Sequence, residues 1–129
     1  LTAGQAAWRP ARGRHNIWEV VVHAAYWKYA VRRRLTGGKR GSFSYPGSDW
    51  FARPSELTEK AWRADAALLE SEHRKLRTVV RAVPTSALMK PVAASVQSNW
   101  MLITGIACHD VYYAGQIRLL RRLQAKSRR

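Results

Sequence analysis

Cysteine is nearly missing from this chain: Cys108 is the only one in 129 residues. No internal disulfide and no cysteine-built zinc site can form, which fits a reducing compartment and an expected cytoplasmic location. Acidic side chains are also few, 8 Asp and Glu against 23 Lys and Arg, so the formal net charge is +15. Such a balance points either to an anionic partner such as nucleic acid or simply to solubility, and the placement of the charges has to decide. Long apolar runs are absent as well. None approaches the roughly 20 residues that cross a bilayer, so no membrane span is expected. The opening "LTAGQAAWRPARGRH" lacks the basic start, apolar stretch and small-residue cleavage site, in that order, of a secretory leader. There is no repeat, no glycine-rich phosphate loop after a strand and no convincing strand pattern. What remains, 47% hydrophobic and 24% charged residues, is the composition of one globular domain spanning 1–129.

Helical periodicity is what the chain does have. From His15 to Leu35 a stripe of Val20, His23, Trp27, Val31 and Leu35 predicts a first long helix, stopped by "TGG". Residues 37–56 are rich in glycine and proline and carry no period, which predicts a long crossover loop. A second stripe of Trp62, Ala66, Leu69, His73, Leu76 and Val80 predicts a helix over Thr58 to Ala82. A third, Ile106, His109, Tyr113, Ile117 and Leu120, predicts a helix running from a cap at Ser98 to about Lys126, with a basic tail at 125–129. "TAGQAAW" is expected to form a turn or two before Pro10. Three such helices define an all-α bundle. A crossover long enough to span it lets the first two run parallel, with the third antiparallel to both. Three helices so packed leave a seam for a fourth, supplied from upstream of Leu1 or by a second chain.

The first and third long helices each place a histidine at mid-length on the buried stripe, so His23 and His109 are the constellation for chemistry. Imidazole nitrogen suits divalent zinc, nickel or iron, and an open site leaves room for water or substrate. Tyr113 lies one turn beyond His109 on the same face. A phenolate binds ferric iron, whereas a neutral phenol is a poor ligand for zinc or nickel. His73, on the second stripe, is a further candidate, though a lone histidine on an apolar face is more often a core or interface residue. Cys108 points about 100° away from its neighbour His109 and reads as a small packed apolar residue. Trp18, Trp27, Trp62 and Trp100 read as core and seam.

Taken together, "GRHNIWEVVVHAAYWKYAVRRRLTG", "AWRADAALLESEHRKLR" and "GIACHDVYYAGQIRLLRRL" resemble the DinB-like (DinB/YfiT) superfamily over nearly the whole chain. The resemblance implies a four-helix bundle with a long crossover between its second and third helices. It also implies a divalent metal held by one histidine of the second helix and an H-x-x-x-H pair of the last. Carried over by position, the ligands are His23, His109 and Tyr113, the last replacing the expected third histidine. The family's first helix is then lacking ahead of Leu1. The resemblance implies a metal-dependent transferase that adds small thiols to electrophiles, or a related isomerase or hydrolase, in which the metal ionises a thiol or water. Gln116 returns to the face of His109 after two turns and, with Asp110, is a candidate to orient a ligand or water around the site. Glu19, one turn before His23, is either a surface charge or another such partner.

Two other functions compete. Arg9, Arg12 and Arg14 are expected to share one end of the bundle with Arg121, Arg122, Lys126, Arg128 and Arg129, while Arg32, Arg33, Arg34, Lys39 and Arg40 lie at the other. Two basic poles favour salt-sensitive, non-specific attraction over specific nucleic-acid binding, and cations in the last turns of helices also complement the helix dipole. The remaining expectation is a non-catalytic interaction protein of the same fold, a dimer whose second copy covers exposed apolar surface.

Overall fold

The computed structural model describes residues 1–92 and 95–127; the calls on Arg128 and Arg129 lie outside the described residues. The described chain is helical, as the periodicity predicts: α1 (Ala3–Ala7), α2 (Ile17–Thr36), α3 (Glu59–Ala82) and α4 (Asn99–Ser127), with a 3-10 turn at Thr85–Ala87. Three of these are long, and the crossover falls between α2 and α3. Among the described residues no helix is long and apolar enough to cross a membrane.

Helix α2 begins two residues later than its apolar stripe suggests, because Asn16 caps it. The Asn16 side-chain oxygen accepts the Glu19 N–H at 2.7 Å, and the Glu19 carboxylate takes the Asn16 N–H at 3.3 Å. This reciprocal box satisfies two otherwise orphaned donors and leaves His15 outside the helix. At the other end Gly37 adopts φ 67, the left-handed conformation glycine tolerates best, and the Gly38 N–H reaches back to the Arg33 carbonyl. Between these caps every residue from Ile17 to Ala25 is buried. A helix that is apolar nearly all round is one surrounded by others, and α2 is the central element. Threonine and serine hydroxyls start the other two long helices, Thr58 accepting the Ala61 N–H and Ser98 the Met101 N–H.

Side-chain pairs give the directions. Trp18 near the start of α2 bonds Asp65 near the start of α3, and Arg32 near its end bonds Glu72 further along α3 at 3.0 Å. Those two helices are therefore parallel. On α4 the order reverses: Leu120 joins Ile17 and Trp18 in one core cluster, His109 meets His23, and Ile106 and Leu102 join Val31 in a second. Trp18 is 1% exposed and meets Trp62 edge to face at 5.3 Å, and burying a side chain of that size is worth about 3 kcal/mol.

Both α3 and α4 pack mainly on α2, and a groove of about 320 Å³ runs between them. It is floored by Val20, Val21 and Ala24 and walled by Leu69 and Ile117. Because α4 packs mainly on α2, only a narrow strip of it is buried: Leu102, Ile106, Leu120 and Gln124. Cys108 is exposed and Trp100 is 49% exposed, which corrects the reading of both as packed residues. Helical spacing marks a face but cannot say how much of it finds a partner.

The crossover is pinned rather than loose. Phe51 is buried, and Phe43 and Tyr45 pack with it against Tyr26. Asp65, only 3% exposed, anchors the segment: it accepts hydrogen bonds from Trp18 Nε1 at 2.6 Å and from the Tyr45 hydroxyl, and lies 3.2 Å from Arg53 Nε. Arg53 also lies over the Tyr45 ring, 3.7 Å from its centroid. Burial raises the Tyr45 hydroxyl pKa, and its bond to Asp65 raises it further.

Candidate functional site

His23 and His109 do meet. Antiparallel packing of α2 and α4 brings their Nε2 atoms to 3.1 Å. The loop supplies what the helices alone do not: the Asp49 carbonyl accepts a hydrogen bond from His23 Nδ1 at 2.9 Å. A carbonyl can only accept, so the proton of neutral His23 sits on Nδ1 and its Nε2 carries the lone pair. His109 must then donate from its own Nε2, which leaves His109 Nδ1 as a bare acceptor. That atom is buried without a partner among the described residues. The Asp49 carboxylate lies 3.3 Å from His23 Nδ1 and accepts the Trp27 indole N–H at 2.8 Å. Asp49 has φ 68, a left-handed conformation that costs a non-glycine residue energy, though Asp tolerates it better than most. The strained residue is the one that orients the histidine.

Aromatic rings enclose the pair. Trp50 is sandwiched between His15 at 3.6 Å and His23 at 3.9 Å, both nearly parallel to it. Tyr113 closes the remaining side, its ring 4.7 Å from that of His23 and 4.6 Å from that of His109. Burial lowers the pKa of both histidines, and in His109 the neighbouring His23 adds to this, so the neutral forms are favoured. Burial also raises the Tyr113 phenol, with Tyr112 and Asp49 adding to the effect, so it stays protonated at neutral pH.

The other sequence candidates separate. Asp110 faces α2, where it pairs with Lys28, an ammonium whose side chain is only 5% exposed; the pair ties the helices together one residue beyond His109. Gln116 is half-buried and lines a cleft of about 490 Å³ beside Trp50 and Tyr113. Glu19 is buried: it caps α2 and binds Arg9 and His15. Burial alone would raise the Glu19 carboxyl, but Arg9, His15 and the Arg53 amide outweigh it and hold the carboxyl below its usual value. His73 is exposed on α3, where it borders the groove. Sequence reasoning missed Asp49, Trp50 and Lys28. A trace of the loop residues was visible, because "DWF" puts two large apolar rings where a solvated loop would have none.

As a metal centre, the donor set is incomplete. The two Nε2 atoms converge at 3.1 Å, and His23 is oriented by a bond to its other nitrogen, the arrangement common to metal-binding histidines; His109 would have to move its proton to Nδ1 before its Nε2 could ligate. The third position carries a neutral phenol, and no group of three His, Cys, Asp or Glu among the described residues could hold an ion. Two of the three positions implied by the resemblance fit, and the third does not.

The sequence profile of the DinB superfamily matches residues 1–108, and the chain belongs to that superfamily. The match stops one residue before His109, so it takes in α1, α2, the crossover, α3 and the start of α4, while His109 and Tyr113 lie beyond it. No curated protein and no solved structure matches the chain.

Neutral, buried histidines have a consequence for stability. In the unfolded chain they take up protons near their ordinary pKa of about 6.5, whereas in the folded chain they resist. The unfolded state thus binds more protons from about pH 6.5 down to the lowered folded values, and stability rises with pH through that window. In EDTA-containing buffer, Tm is expected to fall on acidification from about pH 7.5 to about pH 5. His109→Gln keeps a donor for His23 but does not titrate, and should make the slope shallower. An unchanged slope would mean that other groups set it.

Proposed function

We infer that the chain is a small-molecule-binding member of the DinB superfamily in which metal chemistry is weakened. The observation that carries this is Tyr113: a neutral phenol, not a third imidazole, packs its ring 4.7 Å from that of His23 and 4.6 Å from that of His109. A divalent ion there, zinc, nickel or iron, would be held by His23 Nε2 and His109 Nε2, and would supply ionisation of a thiol or water for a transfer or hydrolysis reaction. Two neutral nitrogens hold such an ion poorly. The adjoining cleft supports binding of a small molecule. Its walls are mostly apolar and aromatic, including Pro10, Trp50, Tyr112 and Leu119, with Arg14, His15 and Gln116 as the polar groups. That lining suits a ligand with an apolar or aromatic body and an acidic end.

Calorimetric titration of zinc and nickel into EDTA-stripped protein tests the reading, with His109→Ala alongside. Micromolar or weaker binding is expected. Tight, equimolar binding lost in His109→Ala would make the chain a working metalloenzyme instead. The basic charge carries less weight. Arg9, Lys28, Arg32 and Arg53 are engaged with carboxylates inside the fold, and the nucleic-acid binding they leave room for is salt-sensitive and indifferent to sequence.

A further inference from the structure

Helix α4 carries an exposed strip whose spacing is symmetric. Met101, Gly105 and Cys108 precede Tyr112 at intervals of 4, 3 and 4, and Gln116, Leu119 and Leu123 follow it at 4, 3 and 4. This is the spacing with which one helix packs along another. Met101 is 53% exposed, Tyr112 59%, Leu119 51% and Leu123 40%; a side chain at Gly105 would meet nothing within 4 Å. We propose that this strip is the interface with a second copy of the chain, laid antiparallel about a twofold axis at Tyr112. Met101 then meets the partner's Leu123, Gly105 receives the partner's Leu119, Cys108 meets the partner's Gln116, and the two Tyr112 rings meet on the axis. A twofold interface requires such self-complementarity, and the palindromic spacing supplies it.

The placement of charge agrees. Every cation of α4 up to Lys126, namely Arg118, Arg121, Arg122 and Lys126, lies beyond Tyr112, and the only charge before it, Asp110, is bound to Lys28. Antiparallel pairing separates the two Arg122 side chains by about 30 Å along the axis, several screening lengths of about 8 Å at physiological salt. Parallel pairing would stack them. Met101, Tyr112, Leu119 and Leu123 together make an apolar patch of a few hundred Å², the size of the largest patch on a typical monomer, which is often functional. Pro10 and Ala11 line the same cleft as Tyr112, Leu119 and Leu123 and extend the contact beyond the helix. Tyr112, Leu119 and Leu123 also line the cleft beside the histidine pair, so the second copy roofs that cleft.

Sedimentation velocity on the full chain at low and high salt tests this. The expected result is a dimer that tightens as salt rises, because screening relieves the repulsion between two strongly basic chains. Leu119→Arg, at a half-exposed position, should weaken it at least tenfold with an unchanged helical circular dichroism spectrum. Cys108→Ser with Tyr112→Cys should oxidise to a covalent dimer, whereas Cys108→Ser with Leu119→Cys should not. A parent that stays monomeric at every salt concentration would overturn the proposal, whether or not it binds an acidic amphipathic peptide. Cross-linking through position 119 as readily as through position 112 would overturn the antiparallel arrangement. Metal titration reads separately from both outcomes, so the two inferences fail independently.

Discussion

Replacing Tyr113 by histidine is expected to give a chain that takes up one zinc or nickel ion per molecule, with affinity raised about a thousandfold, roughly 4 kcal/mol. The substitution puts a third imidazole one turn beyond His109 on the same face of α4, where the present ring already lies 4.6 Å from His109 and 4.7 Å from His23. His109, which donates from Nε2 to His23 in the metal-free pair, has to shift its proton to Nδ1. The Asp49 carbonyl already fixes the His23 proton on Nδ1, so no tautomer change is needed before His23 can ligate. An ion that binds only the folded chain also stabilises it, by about 3–4 kcal/mol at a few hundred times its dissociation constant. Tm should therefore rise on adding metal to Tyr113→His and barely change for the parent. Cobalt gives a second readout, since its visible absorption reports coordination number directly. Metal affinity no better than the parent's would show that position 113 is not the broken part of the site. Equal and tight affinity in both would show that the phenol ligates after all.

How much of this was legible depends on which parts of the chain share a period. The three long helices were, because apolar residues recur at helical spacing and Thr58, Ser98 and Gly37 mark their ends. The meeting of His23 and His109 was too, because each sits near the middle of its stripe and the crossover length dictates opposite directions for α2 and α4. The residue that orients the pair was not. Asp49 acts through its backbone carbonyl, and a carbonyl leaves no trace in a sequence; its left-handed φ arises in a segment without periodicity. Lys28 was missed for another reason. A lysine on a stripe's flank reads as solvated, and burying it beside Asp110 requires knowing how closely α4 approaches. Cys108 shows the converse error, since an apolar residue on an unpartnered face looks from sequence like core.

The largest stability effect is expected at a residue outside the site. Asp65 joins α3, α2 and the crossover at one buried carboxylate, through Trp18, Tyr45 and Arg53. Asp65→Ala removes acceptors from an indole N–H and a phenol, and leaves the Arg53 guanidinium, whose side chain is 10% exposed, without its counter-charge. Breaking a buried pair on one side typically costs about 3–5 kcal/mol, so Tm should fall by about 10–20 °C. Asp65→Asn retains an acceptor for Trp18 or Tyr45 and should lose less. Adding Arg53→Ala to Asp65→Ala removes the stranded charge and should recover part of the loss, the sign of coupling that a double-mutant cycle detects. The effect should also reach the histidines, because Asn16, which caps α2, holds the Arg53 carbonyl at 2.8 Å and Asp49 lies on the same pinned segment. If that linkage holds, the His23 ring resonances shift in Asp65→Asn even where the variant stays fully folded. A loss below about 1 kcal/mol in Asp65→Ala would mean that the aromatic cluster around Phe51 is enough to hold the crossover.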